Sequence, residues 1–394
     1  MVLFSGNERC RIRADAGDTP TLCQASEGEI MTARKPPLLK RIDELARQVM
    51  RNAKDYEPPR MDFPIRALQN VEYDEDRGFF QIGSRVKSRT LSFNTVKTFA
   101  QTLRMISESK KLIESDDIAS KREVYYVAKG WGSAKFDEQT ESDTVMDDVE
   151  AFFCVNREQL RFMPEEKGGD VMGKLIIVDQ NPSTGKDIQI DCMKFGTGAY
   201  SIPTVVEHLK FKTDAKFVLV VETAGAFQRL VKHNFAETAS CIIISMGGVP
   251  TRACRRFIRR LSDERHLPVY AFTDGDPYGY MNIYRTLKVG SGNAAHINEF
   301  FCVPKARFLG VTPDDIDKYE LDTHPLKDVD IKRAKDALKN DPFVLRHKPW
   351  QKALKKMIDM GVRVEQQAFA KHGYNFVLEH YLPEKLANTR LFLP

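Results

Sequence analysis

The sequence predicts an α/β fold built on a parallel sheet covered by helices on both faces, preceded by a smaller α+β module. Three observations predict it. The apolar runs Phe217–Val221, Cys241–Ser245 and 269–273 are continuous rather than alternating, which marks strands buried on both faces. Segments at helical spacing separate and follow them, one from Gly225, one over 251–261 and one over 279–287, and strand–helix alternation of this kind builds parallel sheets. Upstream, short amphipathic segments follow one another with turn residues between them.

Taken in order, residues 1–34 read as a disordered tail, without an apolar core. Pro36-Pro37 opens a helix whose Leu38, Ile42, Leu45 and Val49 recur on one face, and Pro58-Pro59 closes it. That strap, 35–69, reads as a packing element or as a dock for a partner protein. Residues 70–83 read as a hairpin around Asp74-Glu75-Asp76-Arg77-Gly78. A second helix carries Val96, Phe99, Leu103 and Ile106, with Ser92 or Asn94 as its cap. Ser120-Lys121-Arg122-Glu123 is a capping box that starts a third helix, and a fourth runs through Val145, Val149 and Phe152. Small helices with strands nearby suggest a winged-helix module over 70–165, a class that lays one helix in the DNA major groove. Gly168-Gly169 marks the next boundary. The domain 166–394 opens with a joining segment, with strands over 174–178 and 187–192, and ends in a charged helical tail over 312–394.

Composition sets the outer limits. A chain of 394 residues has room for two or three domains, and 42% hydrophobic residues suffice for ordinary cores. Lys and Arg number 60 against 55 Asp and Glu, and the net charge of +5 permits a nucleic-acid partner without requiring one. The seven cysteines form no CxxC pair and read as reduced, in a cytoplasmic protein. No apolar stretch approaches the roughly 18 residues that span a bilayer, and no secretory signal opens the chain.

The chemistry lies where apolar runs end in acids. Phe217–Val221 ends in Glu222, and 269–273 ends in Asp274-Gly275-Asp276. Strands ending in carboxylates aim them into the crevice beyond the carboxyl edge of a parallel sheet. Three convergent carboxylates repel one another unless a cation sits between them, and hard oxygen ligands suit Mg²⁺. Taken alone, Asp-Gly-Asp also reads as an ordinary turn. Upstream, Arg122-Glu123-Val124-Tyr125-Tyr126 holds two adjacent tyrosines, either packing residues or, in Tyr126, a nucleophile with Arg122 four residues earlier on the same helical face. Lys129 and Trp131 are candidate DNA-backbone contacts. Arg252, Arg255, Arg256, Arg259 and Arg260 share one helix and read as a solvated face or as phosphate contacts. Two motifs lead nowhere: Ser183-Thr184-Gly185-Lys186-Asp187 lacks the first glycine and the hydroxyl of a phosphate loop, and Gly196-Thr197-Gly198 lacks the third glycine of a dinucleotide fingerprint. The expectation is no ATP or NAD site in this chain.

These motifs together resemble a known family. Arg122-Glu123-Val124-Tyr125-Tyr126, Val220-Val221-Glu222-Thr223 followed by Phe227, Arg229 and Leu230, and Thr273-Asp274-Gly275-Asp276-Pro277-Tyr278-Gly279 are similar to the A subunits of the type IIB topoisomerases, archaeal-type DNA topoisomerase VI. That family includes the transesterase that makes meiotic double-strand breaks. The resemblance covers about 35–394. It implies a winged-helix domain of the catabolite-activator type joined to a Toprim domain. It implies Tyr126 as the nucleophile assisted by Arg122, and Mg²⁺ on Glu222, Asp274 and Asp276. It further implies double-stranded DNA as substrate and a homodimer of A subunits in which the tyrosine of one protomer meets the metal site of the other. Two B subunits carrying a GHKL-type ATPase would complete an A2B2 heterotetramer, docked through the helix at 37–55 and using the ATP, in the nucleoid-containing cytoplasm.

The expected reaction is reversible transesterification, with Tyr126 joined to the 5′ end and a second duplex passed through the break. Three rivals remain: a break-forming transesterase without strand passage, a Toprim metal nuclease with water as the nucleophile, and a non-catalytic DNA scaffold.

Overall fold

A computed structural model describes residues 37–164, 167–181 and 183–394, so the expected tail at 1–34 lies outside the described residues. Helix α1 (Pro37–Lys54) leads. Strand β1 (Arg60–Pro64) follows, then a hairpin of β2 (Val71–Asp74) and β3 (Phe79–Ile82), then β4 (Val86–Thr90), which returns antiparallel to β1. Helix α2 (Val96–Ser115), the two-residue strand β5 (Ala119–Ser120) and helices α3 (Lys121–Ala128) and α4 (Gln139–Phe153) complete the module, and β6 (Phe162–Met163) pairs parallel with β5. The cap of α2 is Thr95 rather than Ser92 or Asn94. Its hydroxyl makes no cap bond, because it donates to Thr90 O and accepts from the Ser92 N–H.

The strap is not a separate piece. Leu38, Leu39, Ile42 and Leu45 of α1 lie in one core with Phe99, Met105 and Ile106 of α2 and with Val145, Met146 and Val149 of α4. The hairpin, in contrast, leaves this module. Phe80 is fully buried in the core of the following domain, its N–H bonds Val289 O at 3.0 Å, and Tyr73 packs edge-on against Phe343. The expected boundary at residue 70 therefore separates residues that pack together and joins residues that pack apart.

Five strands then lead into the large domain: β7 (Asp170–Gly173), β8 (Ile176–Gln180), β9 (Asp187–Asp191), β10 (Tyr200–Ser201) and β11 (Lys210–Lys212). Three form an antiparallel sheet in the order β11-β8-β9, and the phosphate-loop lookalike lies in the β8–β9 connection. The central elements follow: β12 (Phe217–Val221), α5 (Ala224–Lys232), α6 (Phe235–Thr238), β13 (Cys241–Ser245), α7 (Arg252–Glu264) and β14 (Val269–Phe272). A π-helical turn over Gly279–Tyr284 runs into α8 (Arg285–Lys288), followed by α9 (Asn298–Phe301) and β15 (Arg307–Phe308).

The main sheet has the order β10-β7-β13-β12-β14-β15. Strands β12 to β15 run parallel, as expected, whereas β7 and β10 add an antiparallel edge. Alternate residues of each central strand enter opposite cores. Val218 and Val220 meet Phe257, Ile258 and Leu261 of α7, while Leu219 and Val221 meet Phe227 and Leu230 of α5. Burial on both faces is the physical reason these strands read as unbroken apolar runs.

The tail is helical and folds back on the sheet. It comprises α10 (Pro313–Lys318), β16 (His324–Pro325), α11 (Asp328–Asn340), α12 (Pro342–Arg346), α13 (Lys348–Met360), β17 (Val362–Arg363) and α14 (Leu382–Ala387). Trp350 of α13, fully buried, stacks on Tyr284 at 5.3 Å, and Tyr381 caps the other face beside Phe272 at 5.8 Å. Among the described residues no helix is long and apolar enough to cross a membrane, and Cys192, Cys241, Cys254 and Cys302 are buried thiols.

A candidate carboxylate site and a candidate nucleophile

Strands β12 and β14 are neighbours in register, Val221 opposite Phe272, so the residues that leave their ends enter one crevice. Glu222 is 9% exposed and accepts the Asp274 N–H at 2.9 Å through Oε2. Asp276 Oδ1 accepts the Gly279 N–H at 2.6 Å. Asp274 Oδ1 accepts the Gln366 N–H at 2.8 Å, a donor supplied by the far end of the chain. Burial, with like charge from Asp274 and Asp276 added, pushes Glu222 up to about 8. Burial likewise raises Asp274 to about 6, with Asp276 and Glu365 adding repulsion, and raises Asp276.

Two glycines make the crevice possible. A Cβ on Gly279 would stand 2.7 Å from Asp274 O, 3.3 Å from Asp276 Oδ1 and 3.4 Å from Glu222 Oε2. The hydrogen atom of Gly279 therefore faces a spot on which two carboxylates from two strands already converge. A Cβ on Gly275 would lie 2.5 Å from Val364 Cγ1, and only glycine lets the tail pass this close. Among the described residues, no three acidic, His or Cys side chains close round one point as a complete cage. A partial shell still fits Mg²⁺-like ions, which take one or two carboxylates and leave other positions to water and phosphate oxygens.

Tyr126 lies in the other module. The capping box forms as expected: Ser120 Oγ accepts the Glu123 N–H at 3.2 Å, and Glu123 Oε2 accepts the Ser120 N–H at 2.7 Å. Helix α3 buries Val124 and Ala128, so the residues between them turn outward. Tyr126 is 58% exposed and its hydroxyl makes no hydrogen bond among the described residues. Tyr125, half-buried, donates its hydroxyl to Asp137 O at 3.0 Å, and Lys129 Nζ stands 4.7 Å from its ring. The two tyrosines thus differ as a nucleophile and a packing residue would differ. Arg122 is exposed on the same helix.

Three family models match consecutive stretches of the chain. They describe a type IIB DNA topoisomerase over 97–162, an all-beta domain in the DNA topoisomerase VI alpha chain over 165–215, and the Toprim domain of topoisomerase 6 A subunits and Spo11 over 217–386. The A subunit of type 2 DNA topoisomerase 6 from Methanocaldococcus jannaschii is 50% identical over 354 residues, which is 90% of this chain and 95% of that one. The proteins of the same name from Methanothermobacter thermautotrophicus and Pyrococcus horikoshii are 38% and 37% identical, over 83% and 90% of this chain and 91% and 95% of theirs. The chain belongs to the family of type 2 DNA topoisomerase 6 A subunits. Its crevice is accordingly that of a Toprim domain, a mixed α/β unit with the parallel sheet described above.

Within this topoisomerase chain, the arginines of α7 do a different job from the one expected. Arg252 is turned inward and bonds Glu150 of α4 through two nitrogens, at 2.5 and 3.0 Å, with Glu150 wholly buried. Arg255 is 6% exposed and reaches Thr286 O. Arg256 holds Glu207 at 2.8 Å and Phe300 O at 3.2 Å. Arg259 binds Asp263 and donates to Cys302 O at 2.7 Å, and Arg260 donates to Leu209 O at 2.8 Å. A guanidinium with five donors in a plane suits this carbonyl-gathering task. The row is structural, and the phosphate-contact reading of Arg252, Arg255, Arg256 and Arg259 is withdrawn. Trp131 is half-buried, 5.8 Å from Phe136, and packs on the N-terminal core; Lys129 remains exposed beside Tyr125.

Sequence reading missed what the tail brings to the crevice. Val364 exchanges hydrogen bonds with Gly275, at 2.8 and 3.2 Å, and Gln366 holds both Asp274 and Phe272 O. The only available signal was Arg363-Val364-Glu365-Gln366, polar residues around one buried valine, which read as ordinary helical tail.

Proposed function

We propose that this chain is the DNA-cleaving component of an ATP-dependent type IIB topoisomerase, with Tyr126 as nucleophile and Glu222, Asp274 and Asp276 as ligands for Mg²⁺. Convergence of Glu222 and Asp276 over the bare Gly279 carries the reading, because buried like charges placed together call for a cation. A bound Mg²⁺ supplies charge neutralisation and orientation at the phosphate.

The chain's own residues account for the rest. The Tyr126 oxygen attacks a backbone phosphorus in duplex DNA, its proton leaves to solvent or a nearby base, and the P–O3′ bond breaks. The 3′ oxygen takes a proton and the 5′ phosphate stays on Tyr126. Reversal reseals the strand without an added energy source, since one phosphodiester has replaced another. Arg122, one helical turn before Tyr126, offers a fixed positive charge for the phosphate. Glu123, held by Ser120, stays within the cap. The N-terminal module acts as a winged helix against DNA.

Two A subunits work together. Helix α3 packs on α4, β5 and β6 within its own module, and Tyr126 and the carboxylates belong to separate modules, which suits a site shared between protomers. Two GHKL-type B subunits complete an A2B2 assembly and use the ATP to drive strand passage, with α1 as the dock. The test is relaxation of supercoiled DNA with a B-type ATPase partner, Mg²⁺ and ATP. Relaxation that needs ATP and stops with Tyr126→Phe supports the reading. Cleavage that survives Tyr126→Phe identifies a hydrolytic nuclease, and ATP-independent breaks that never reseal identify a break-forming transesterase.

A further inference from the structure

The tail reaches the carboxylate crevice along a defined register. The bridge between Gly275 and Val364 is antiparallel, with both backbone hydrogen bonds made. In such a pair the flanking residues face each other on one side of the ribbon, with Cβ atoms about 4.5–5.5 Å apart. Asp274 is therefore set across from Glu365, and Asp276 across from Arg363. The alignment is extended by Gln366, whose N–H holds Asp274 Oδ1 at 2.8 Å. Gln366 is 4% exposed. Its side-chain nitrogen donates to Phe272 O at 3.0 Å, and its Oε1 is buried without a partner. Glu365 has 43% of its side chain exposed and one long ion-pair contact, to Arg363 at 3.4 Å. Like charge from Glu365 is felt by both Glu222 and Asp274.

We propose that Glu365 is a further carboxylate ligand of the divalent-cation site, supplied by the C-terminal extension and set in place by Gln366 and the Gly275–Val364 bridge. The proposal rests on the metal reading above. A carboxylate across from Asp274 adds hard oxygens where hydrogen bonds already occupy Glu222 Oε2 and Asp274 Oδ1. It also ties the tail to the metal: residues 363–366 keep their place while the bridge holds, so the extension becomes one wall of the site rather than packing alone. Arg363, across from Asp276, balances part of the charge that four acids bring together.

The test is Mn²⁺ binding to the full chain, stripped of metal with chelator, followed by electron paramagnetic resonance of free Mn²⁺ with neither DNA nor the B-type partner present. Wild type, Glu365→Gln, Asp274→Asn and, as a charge control on the same tail, Glu379→Gln are titrated together, with melting recorded without metal. The expected result is an affinity lower by about 10-fold or more for Glu365→Gln, near wild type for Glu379→Gln, with metal-free melting not lowered by Glu365→Gln. Glu365→Gln binding Mn²⁺ as wild type does would overturn the proposal while leaving the three-acid site standing. Binding equal in wild type and Asp274→Asn would remove the metal reading itself, and this inference with it. If Glu365→Gln fails to fold, Glu365→Asp is read by the same criterion, and wild-type affinity there overturns the proposal.

Discussion

Gly279 governs how closely the acids of the Toprim crevice approach one another. Its missing side chain leaves the space in which Asp276 Oδ1 and Glu222 Oε2 converge, so Gly279→Ala is expected to weaken Mn²⁺ binding by about 10-fold or more, read by the same titration. Protonation competes with the ion at these residues. Metal-free Glu222 and Asp274 sit at about 8 and 6, and only the ionised forms bind metal, so affinity should rise as pH rises from about 6 to 8 with net proton release. Calorimetry in two buffers of different ionisation enthalpy reads that release directly, and a pH-independent affinity would contradict it. Glu222, Asp274, Asp276 and Tyr126 were legible in the sequence because each follows a strong local signal: two apolar runs that end in acids, and a capping box that fixes the face of α3. Glu365 and Gln366 were not, because their role depends on a pairing across about ninety residues of chain, and no local pattern records it.

Helix α7 shows how an element can mislead at the level of composition. Five arginines on one helix suggest a polyanion, yet Arg252 crosses to the N-terminal module and closes a buried pair with Glu150, with His296 3.5 Å from the same carboxylate. Burial alone would raise Glu150; Arg252, with His296 and Arg157 also facing it, outweighs burial and holds it at about 2. Its folded value lies below the ordinary 4.5, so the pair's contribution is fully present above about 4.5 and is lost as pH falls through that window towards 2. Arg252→Ala strands a buried carboxylate and should cost about 3–5 kcal/mol in denaturant unfolding. A loss confined to DNA affinity, with unchanged stability, would return Arg252 to the phosphate-contact reading. The strands of the sheet were read within a residue of their ends, since burial on both faces leaves a continuous apolar run. The antiparallel edge of β7 and β10 went unread because Asp170–Gly173 and Tyr200–Ser201 are too short to show a period.

At the scale of the whole molecule, the tyrosine and the acids sit on separate modules joined by the Glu150–Arg252 pair and by the β2–β3 hairpin, which carries Phe80 into the large core. Mixed dimers test whether one protomer's tyrosine uses the other's acids. A dimer of Tyr126→Phe with Glu222→Gln keeps one intact site if the site is shared, and none if each protomer works alone. Shared sites predict single-strand nicks, and their absence would place the whole site within one chain. The most direct measurement is the covalent adduct. The protein is mixed with supercoiled DNA, Mg²⁺, a B-type ATPase partner and a non-hydrolysable ATP analogue, then denatured. Protein attached to 5′ ends, lost with Tyr126→Phe and kept with Tyr125→Phe, is the predicted result. Cleaved DNA with no attached protein, or an adduct that survives Tyr126→Phe, would contradict it.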